Sequence, residues 1–107
     1  DAFMPIGQKI YKRGMNLHVA TSHQIFEETF GVSPYICALV WPHLSRTVDL
    51  QEGSMPHHLL WSLLFMKHYM TENVLCAMLG GVDPKTLRKW VWYFIDSIAD
   101  MMDKQLV

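Results

Sequence analysis

The chain has 107 residues, of which half are apolar and 18% are charged. That length suits one globular domain with a single core, and it leaves little interior for an enclosed active site, so a binding module is favoured over an enzyme. Nine Lys and Arg residues against ten Asp and Glu residues give a net charge of -1. A balanced charge argues against the broadly basic surface that most autonomous nucleic-acid binders use to neutralise phosphates.

The charge is nevertheless unevenly distributed along the chain. Residues 1–20 and residues 83–95 each have a net charge of +2, whereas residues 96–107 are acidic. The basic residues are Lys9, Lys12 and Arg13 in the first segment and Lys85, Arg88 and Lys89 in the second. We predict a basic N-terminal arm or extension over residues 1–20 and one helical domain over residues 21–107, with any DNA contact confined to a local patch.

Neither the cysteines nor the apolar segments suggest a secreted or membrane protein. Cys37 and Cys76 are 39 residues apart and lack the paired spacing of a zinc site or a disulfide framework, which predicts a reduced intracellular protein. The densest apolar segment, residues 59–66, is bounded by histidine and lysine residues and is too short to span a bilayer. We expect no membrane span and no cofactor.

The first helical signals come from capping residues and helix breakers. Thr21 or Ser22 can cap a helix that Gly31 ends. Ser33 precedes a proline and is predicted to cap the next helix, in which Pro42 implies a kink or an early end.

Further helices are predicted in the second half of the chain. Residues 45–55 are polar without a sustained apolar period, which predicts a loop. The helix over residues 56–70 is apolar around most of its girth, as expected for a central helix. Thr71 caps a short helix that Gly80 and Gly81 end. No segment alternates like a strand, so the predicted fold is all-α, with about five helices in a compact orthogonal bundle.

The corner between the last two helices meets the demands of a helix-turn-helix motif. The first helix needs a small residue against the second, the turn needs a positive φ angle followed by a small apolar residue that fills the core, and the second helix needs a cap and an apolar anchor. Ala77, Gly80 or Gly81, Val82, Asp83 and Leu87 meet these demands in that order. We predict that Asp83 caps the final helix, that Pro84 takes its first position and that the helix runs to about residue 104.

Four residues at the start of the final helix are candidate DNA ligands. Lys85, Thr86, Arg88 and Lys89 offer donors to phosphates and base edges, and an arginine can bind a guanine edge with two hydrogen bonds. The helix N-terminus itself also favours a phosphate. The same pattern also fits an ordinary corner between two core helices with a solvated basic surface, and the spacing alone leaves both interpretations open.

Aromatic and acidic residues share the polar side of the final helix. Trp92 and Tyr93 could stack on DNA sugars, but flat aromatic surface beside mixed charges favours a protein interface. Asp96, Asp100 and Asp103 recur at helical spacing without an accompanying nucleophile, which indicates a solvated surface and not a catalytic site.

The six histidines do not predict a metal site. His57 and His58 are adjacent and are expected to point to different sides of a helix, and His68 lies about three turns further along. We therefore predict capping or surface roles for the histidines and no bound metal.

Three segments of the chain resemble a known family. They are "FGVSPYICALVW" at 30–41, "PHHLLWSLLFMKHYMTENV" at 56–74 and "VDPKTLRKWVWYFI" at 82–95. Together they resemble the N-terminal helical region of Harbinger-type transposases, which belong to the DDE superfamily of endonucleases. The resemblance implies a helix-turn-helix region that precedes a catalytic domain, with Trp90 and Phe94 supporting the recognition helix from inside. The family's three catalytic carboxylates are not found in this chain, so no catalytic residue is carried over.

The sequence therefore predicts a nuclear, non-enzymatic domain that binds duplex DNA through Lys85, Thr86, Arg88 and Lys89. The alternative is a domesticated helical module that serves as a structural or protein-interaction subunit of a larger assembly and docks through Trp92 and Tyr93.

Overall fold

Six α-helices make up most of the part of the chain that the computed structural model describes, residues 3–11 and 19–105. The helices are α1 (Phe3–Tyr11), α2 (Val19–Phe30), α3 (Pro34–Val48), α4 (Pro56–His68), α5 (Glu72–Met78) and α6 (Pro84–Gln105). The predicted all-α class is confirmed, and those residues contain no strand. Lys12 and Arg13 of the predicted basic arm lie outside the described residues.

The first helix forms within the predicted N-terminal arm. Phe3 and Gly7 of α1 are buried, and the helix packs against α2, α3 and α4. Phe3, Ile6 and Ile10 follow the spacing of a helix face, which was the local signal for this element. The predicted division after residue 20 falls inside α2, because that helix begins at Val19 and not after Thr21 or Ser22.

At Gly7, the backbone of α1 packs directly against two aromatic rings of α2. A Cβ atom at this position would lie 2.3 Å from Cε2 of Phe26 and 3.0 Å from Cε2 of Phe30. Because both rings are buried and packed 4.6 Å apart, Gly7→Ala is expected to lower the free energy of unfolding by about 1–3 kcal/mol. Urea denaturation followed by circular dichroism measures this loss; an unchanged midpoint would show that α1 does not pack as described.

The third helix is longer than predicted. Ser33 caps it as expected, since its Oγ accepts a hydrogen bond from the Ile36 N–H at 3.2 Å. Pro42 does not end the helix early, and the predicted loop at residues 45–55 is wrong over its first four residues. Leu44 is fully buried, and its packing against the core holds the helix through the proline to Val48.

The fourth helix is central, as predicted. It packs against α1, α2 and α6, and Leu59, Leu60 and Leu64 are at most 1% exposed. It ends at His68, two residues before the predicted end, because Tyr69 adopts a left-handed conformation (φ 53°) and donates its N–H to the Phe65 carbonyl at 2.8 Å.

One apolar core runs through all six helices. Its largest fully buried side chains are Phe26, Phe30, Leu44, Leu59, Leu60, Leu64, Leu75, Leu87 and Phe94. Within the described residues, no helix combines the length and the apolar character that a membrane crossing requires. The core fixes the position of α6, and that helix carries the candidate site.

Candidate nucleic-acid interface

A two-glycine turn joins α5 to α6. Thr71 caps α5 by accepting the Val74 N–H at 3.4 Å. At the other end, Gly80 and Gly81 have φ angles of 93° and 89°, and their N–H groups bond to the Ala77 and Cys76 carbonyls at 3.1 and 2.8 Å. These two bonds form a Schellman motif, which requires a left-handed residue directly after the helix. The predicted positive φ angle is confirmed.

Packing across the corner differs from the prediction at one residue. Ala77 is exposed, so it is not the small residue at the helix contact, while Cys76 and Leu75 are buried. Leu87 is 2% exposed and anchors α6 as predicted, and Val82 packs against the core from the turn. Ala77 therefore faces solvent, directly after the buried residue Cys76.

Asp83 fixes the start of α6. Its Oδ2 accepts the Lys85 N–H at 3.1 Å and the Thr86 N–H at 3.2 Å, as expected of a capping residue. The carboxylate thus occupies the helix N-terminus, where the sequence had suggested a phosphate. Any anion that approaches this end of α6 must be bound mainly by side chains.

The structure brings the four candidate DNA ligands together on the outside of α6. Lys85, Thr86, Arg88 and Lys89 are all exposed within the first two turns. Leu87, between them in sequence, is buried in the core, so the basic residues lie on the exposed side of α6. The ammonium group of Lys89 also lies 4.6 Å from the ring centre of Trp90.

An acidic residue of α5 partly neutralises this cluster. Arg88 donates from Nε to Oε2 of Glu72 at 2.6 Å, with both side chains about half exposed. A guanidinium group has five N–H donors, and this ion pair engages the one on Nε. The sequence did not predict the pair, because the two residues are 16 positions apart and meet only when the corner closes.

Buried aromatic rings support the site from behind. Trp90 is 7% exposed and stacks on the imidazole ring of His58, with ring centres 4.1 Å apart and an angle of 5° between planes. Phe94 is fully buried one turn further along α6. Both residues therefore lie in the interior, behind the exposed basic residues of α6.

The two histidines at the start of α4 do not point apart. Their ring centres lie 4.2 Å from each other, so the predicted divergence is wrong. The predicted capping role is confirmed for His58, because its Nδ1 accepts the Met55 N–H at 3.1 Å. No group of three potential ligands close enough to hold a metal occurs among residues 3–11 and 19–105.

Burial lowers the pKa of His58 to about 4, and the neighbouring His57 and Lys89 add to the shift. The folded protein therefore favours the neutral form of the His58 ring. Protonation favours the unfolded chain as the pH falls below about 6.5, and stability continues to fall until the folded pKa near 4 is reached.

The variant His58→Gln is expected to reduce this pH dependence. Glutamine keeps an acceptor for the Met55 N–H but does not titrate. Between pH 7 and about pH 4.5 the wild-type chain should lose about 2 kcal/mol more stability than the variant. Urea unfolding at both pH values measures the difference, and parallel losses in the two proteins would contradict the assignment.

Trp92 and Tyr93, the candidate protein interface, are placed differently. Trp92 is 52% exposed and rests with its edge against Phe65, with ring centres 5.7 Å apart. Tyr93 is half-buried, and its hydroxyl accepts the Gln51 N–H at 2.7 Å, which ties the loop before α4 to α6. Of the two, Trp92 offers the larger free surface.

An apolar cavity of about 130 Å³ lies between α3, α4 and α6, and sequence reasoning missed it. Ile36, Leu63 and Met102 are among its lining residues, and the side chains of Ile36 and Met102 are exposed at its edge. The only signal in the sequence was the absence of charge from Pro34 to Ser45, which also fits a buried helix.

Comparisons with known proteins identified no relative of this chain. No protein-family model matches the chain, and searches of curated proteins and of solved structures found no significant match.

Proposed function

We propose that the chain binds duplex DNA through the first two turns of α6, as the helix-turn-helix domain of a nuclear Harbinger-like transposase protein, and that it acts by binding and not by catalysis. The observation that carries this proposal is the exposure of Lys85, Thr86, Arg88 and Lys89 together, directly after a tight two-glycine turn. In a helix-turn-helix, the same part of the second helix reaches base edges in the major groove.

Each side chain has a distinct role in this proposal. The Nη groups of Arg88 can donate two hydrogen bonds to a guanine edge, worth roughly 1–3 kcal/mol of discrimination between bases. Lys85, Thr86 and Lys89 hold phosphates on either side. Because Glu72 pairs with Arg88 and the Asp83 carboxylate caps the same end of the helix, we expect weak binding that neutralises only a few phosphates.

Chemical shift mapping tests which surface binds. A uniformly ¹⁵N-labelled sample titrated with a short duplex at low salt is expected to show its largest amide shifts in residues 85–92. Shifts of equal size in α3, on a different surface of the bundle, would indicate non-specific association. The absence of any shift at low salt would contradict DNA binding.

The alternative function, docking into a larger protein assembly, is favoured by a separate observation. Trp92 is half exposed, and the apolar cavity beside Met102 provides a second uncharged surface on the same helix. Under this alternative, replacing Trp92 with alanine weakens partner binding, while replacing Arg88 and Lys89 leaves it unchanged.

A further inference from the structure

The exposed side of α6 carries a regular pattern beyond its first two turns. Exposed residues recur at alternating steps of four and three, so they form one row, the outer seam, along the solvent-facing side of the helix. They are Lys85, Lys89, Trp92, Asp96, Ala99 and Asp103. The opposite side of the same helix, with Leu87, Val91 and Phe94, is buried in the core. This 22-residue helix therefore has one seam inside the domain and a second seam that faces solvent.

Except for Asp96, whose counterpart is Trp92, the charges on the outer seam are arranged nearly symmetrically about position 94. Lys85 lies nine residues before it and Asp103 nine residues after it. Lys89 lies five residues before and Asp100, which borders the seam, six residues after. Trp92 stands close to the centre of the pattern. One half of the outer seam is thus basic and the other half acidic.

We propose that this surface binds a second copy of the chain, with the two α6 helices antiparallel across a two-fold axis on the exposed side of the helix, level with position 94. In that arrangement Lys85 faces Asp103 of the second copy, and Lys89 lies beside Asp100 of the second copy. Each ion pair occurs twice because the interface is isologous. The two Trp92 rings, about 6 Å apart along the helix axes, meet at the centre.

Charge complementarity selects both the partner and the direction. A parallel pair would place lysines against lysines and aspartates against aspartates, so like charges oppose that arrangement. Arg88 is engaged by Glu72 of its own chain and lies to one side of the seam. Lys104 binds Asp100 within the chain at 3.3 Å, but both side chains are about half exposed, so Asp100 retains a free surface for Lys89.

The expected association is weak and sensitive to salt. The interface consists of one helix pair about 33 Å long, which places it among small, transient interfaces. Its ion pairs lie at the surface, where about 0.5 M salt reduces the screening length to a few ångströms. Trp92 supplies most of the apolar area.

Sedimentation velocity of the whole chain at about 100 µM, without DNA, tests the proposal. The measurement uses the wild type and two charge-reversed variants, Lys85→Glu with Lys89→Glu, and Asp100→Lys with Asp103→Lys. All four positions are exposed, so the variants should fold; far-UV circular dichroism confirms this for each sample. An equimolar mixture of the two variants completes the set.

The wild type is expected to form a dimer at about 50 mM salt, with a dissociation constant at least tenfold higher at about 500 mM. Each variant alone should be monomeric, because all of its cross-pairs become repulsive, and the mixture should recover the dimer. A wild type that is monomeric at low salt would overturn the proposal. So would variants that associate as well as the wild type, or a mixture that stays monomeric.

Self-association and DNA binding would use the same lysines. Duplex DNA should therefore shift the dimer to a monomer bound to DNA, a consequence that rests on the proposed function. The dimer itself is measured without DNA, so its absence would leave DNA binding untouched, and a failure to bind DNA would leave the dimer standing.

Discussion

Replacing Arg88 and Lys89 with alanine is expected to weaken duplex DNA binding on the order of 100-fold. Both side chains are exposed in the second turn of α6, so the change should not disturb the core. An arginine at a base edge accounts for roughly 1–3 kcal/mol, and a lysine at a phosphate contributes to affinity and to its salt dependence. Fluorescence anisotropy with a labelled duplex measures the loss. Lys67→Ala, which removes an exposed cation from α4, is the matched control.

A second variant tests whether the negative charge of Glu72 weakens DNA binding. Glu72→Gln removes the negative charge that pairs with Arg88 and should strengthen DNA binding a few-fold, on the order of 1 kcal/mol or less. If the double alanine variant binds as tightly as the Lys67 control, the first two turns of α6 do not contact DNA. Weaker binding by Glu72→Gln would show that Glu72 orients Arg88 for its ligand and does not compete with it.

Phe94→Ala is expected to lower the free energy of unfolding by about 3–5 kcal/mol, a large share of the stability of a small domain. The ring is fully buried and stacks on Trp41 of α3, with ring centres 5.9 Å apart. It also lies against Tyr93 and within 6.3 Å of the His58 ring of α4. Its removal would leave a cavity where three helices meet.

Urea denaturation at neutral pH measures this loss, with Met102→Ala as the control on the same helix. Met102 is 54% exposed, so its truncation should cost less than about 1 kcal/mol. If the alanine variant does not fold, Phe94→Leu gives a smaller loss that can still be compared with the control. Equal losses at the buried and exposed positions would contradict the described packing of α6.

The starts of α3, α5 and α6 were predicted correctly, because their causes are local. Ser33, Thr71 and Asp83 each bond to a backbone N–H two or three residues ahead, and such bonds depend only on the chain nearby. The positive φ angles of Gly80 and Gly81 were predictable for the same reason. These features define the corner that presents the candidate DNA ligands.

The missed features depend on distant residues. Pro42 stays inside α3 because Leu44 is buried beyond it, and α1 forms where Gly7 lets the helix approach Phe26. Local propensity contains no information about either contact. The side of α5 that faces the core also depended on tertiary packing, so Ala77 was assigned to the wrong side.

At the candidate site, the sequence predicted which residues would be available but not how they are paired. The exposure of the basic residues follows from their helical spacing relative to Leu87. The ion pair between Arg88 and Glu72 and the stacking of His58 on Trp90 join separate helices, so they could not be predicted from spacing. The ion pair sets how much positive charge the basic cluster leaves unpaired, and the stacking fixes Trp90 beneath it.

The most direct test of DNA binding is an anisotropy titration of the wild-type chain against a random-sequence duplex at several salt concentrations. With two cations, Lys85 and Lys89, in contact with phosphates, the logarithm of the binding constant should fall with the logarithm of salt concentration with a slope of roughly -2. Binding that weakens with that slope would support the proposal that α6 reads duplex DNA. The absence of binding at the lowest salt, or binding that does not respond to salt, would contradict it.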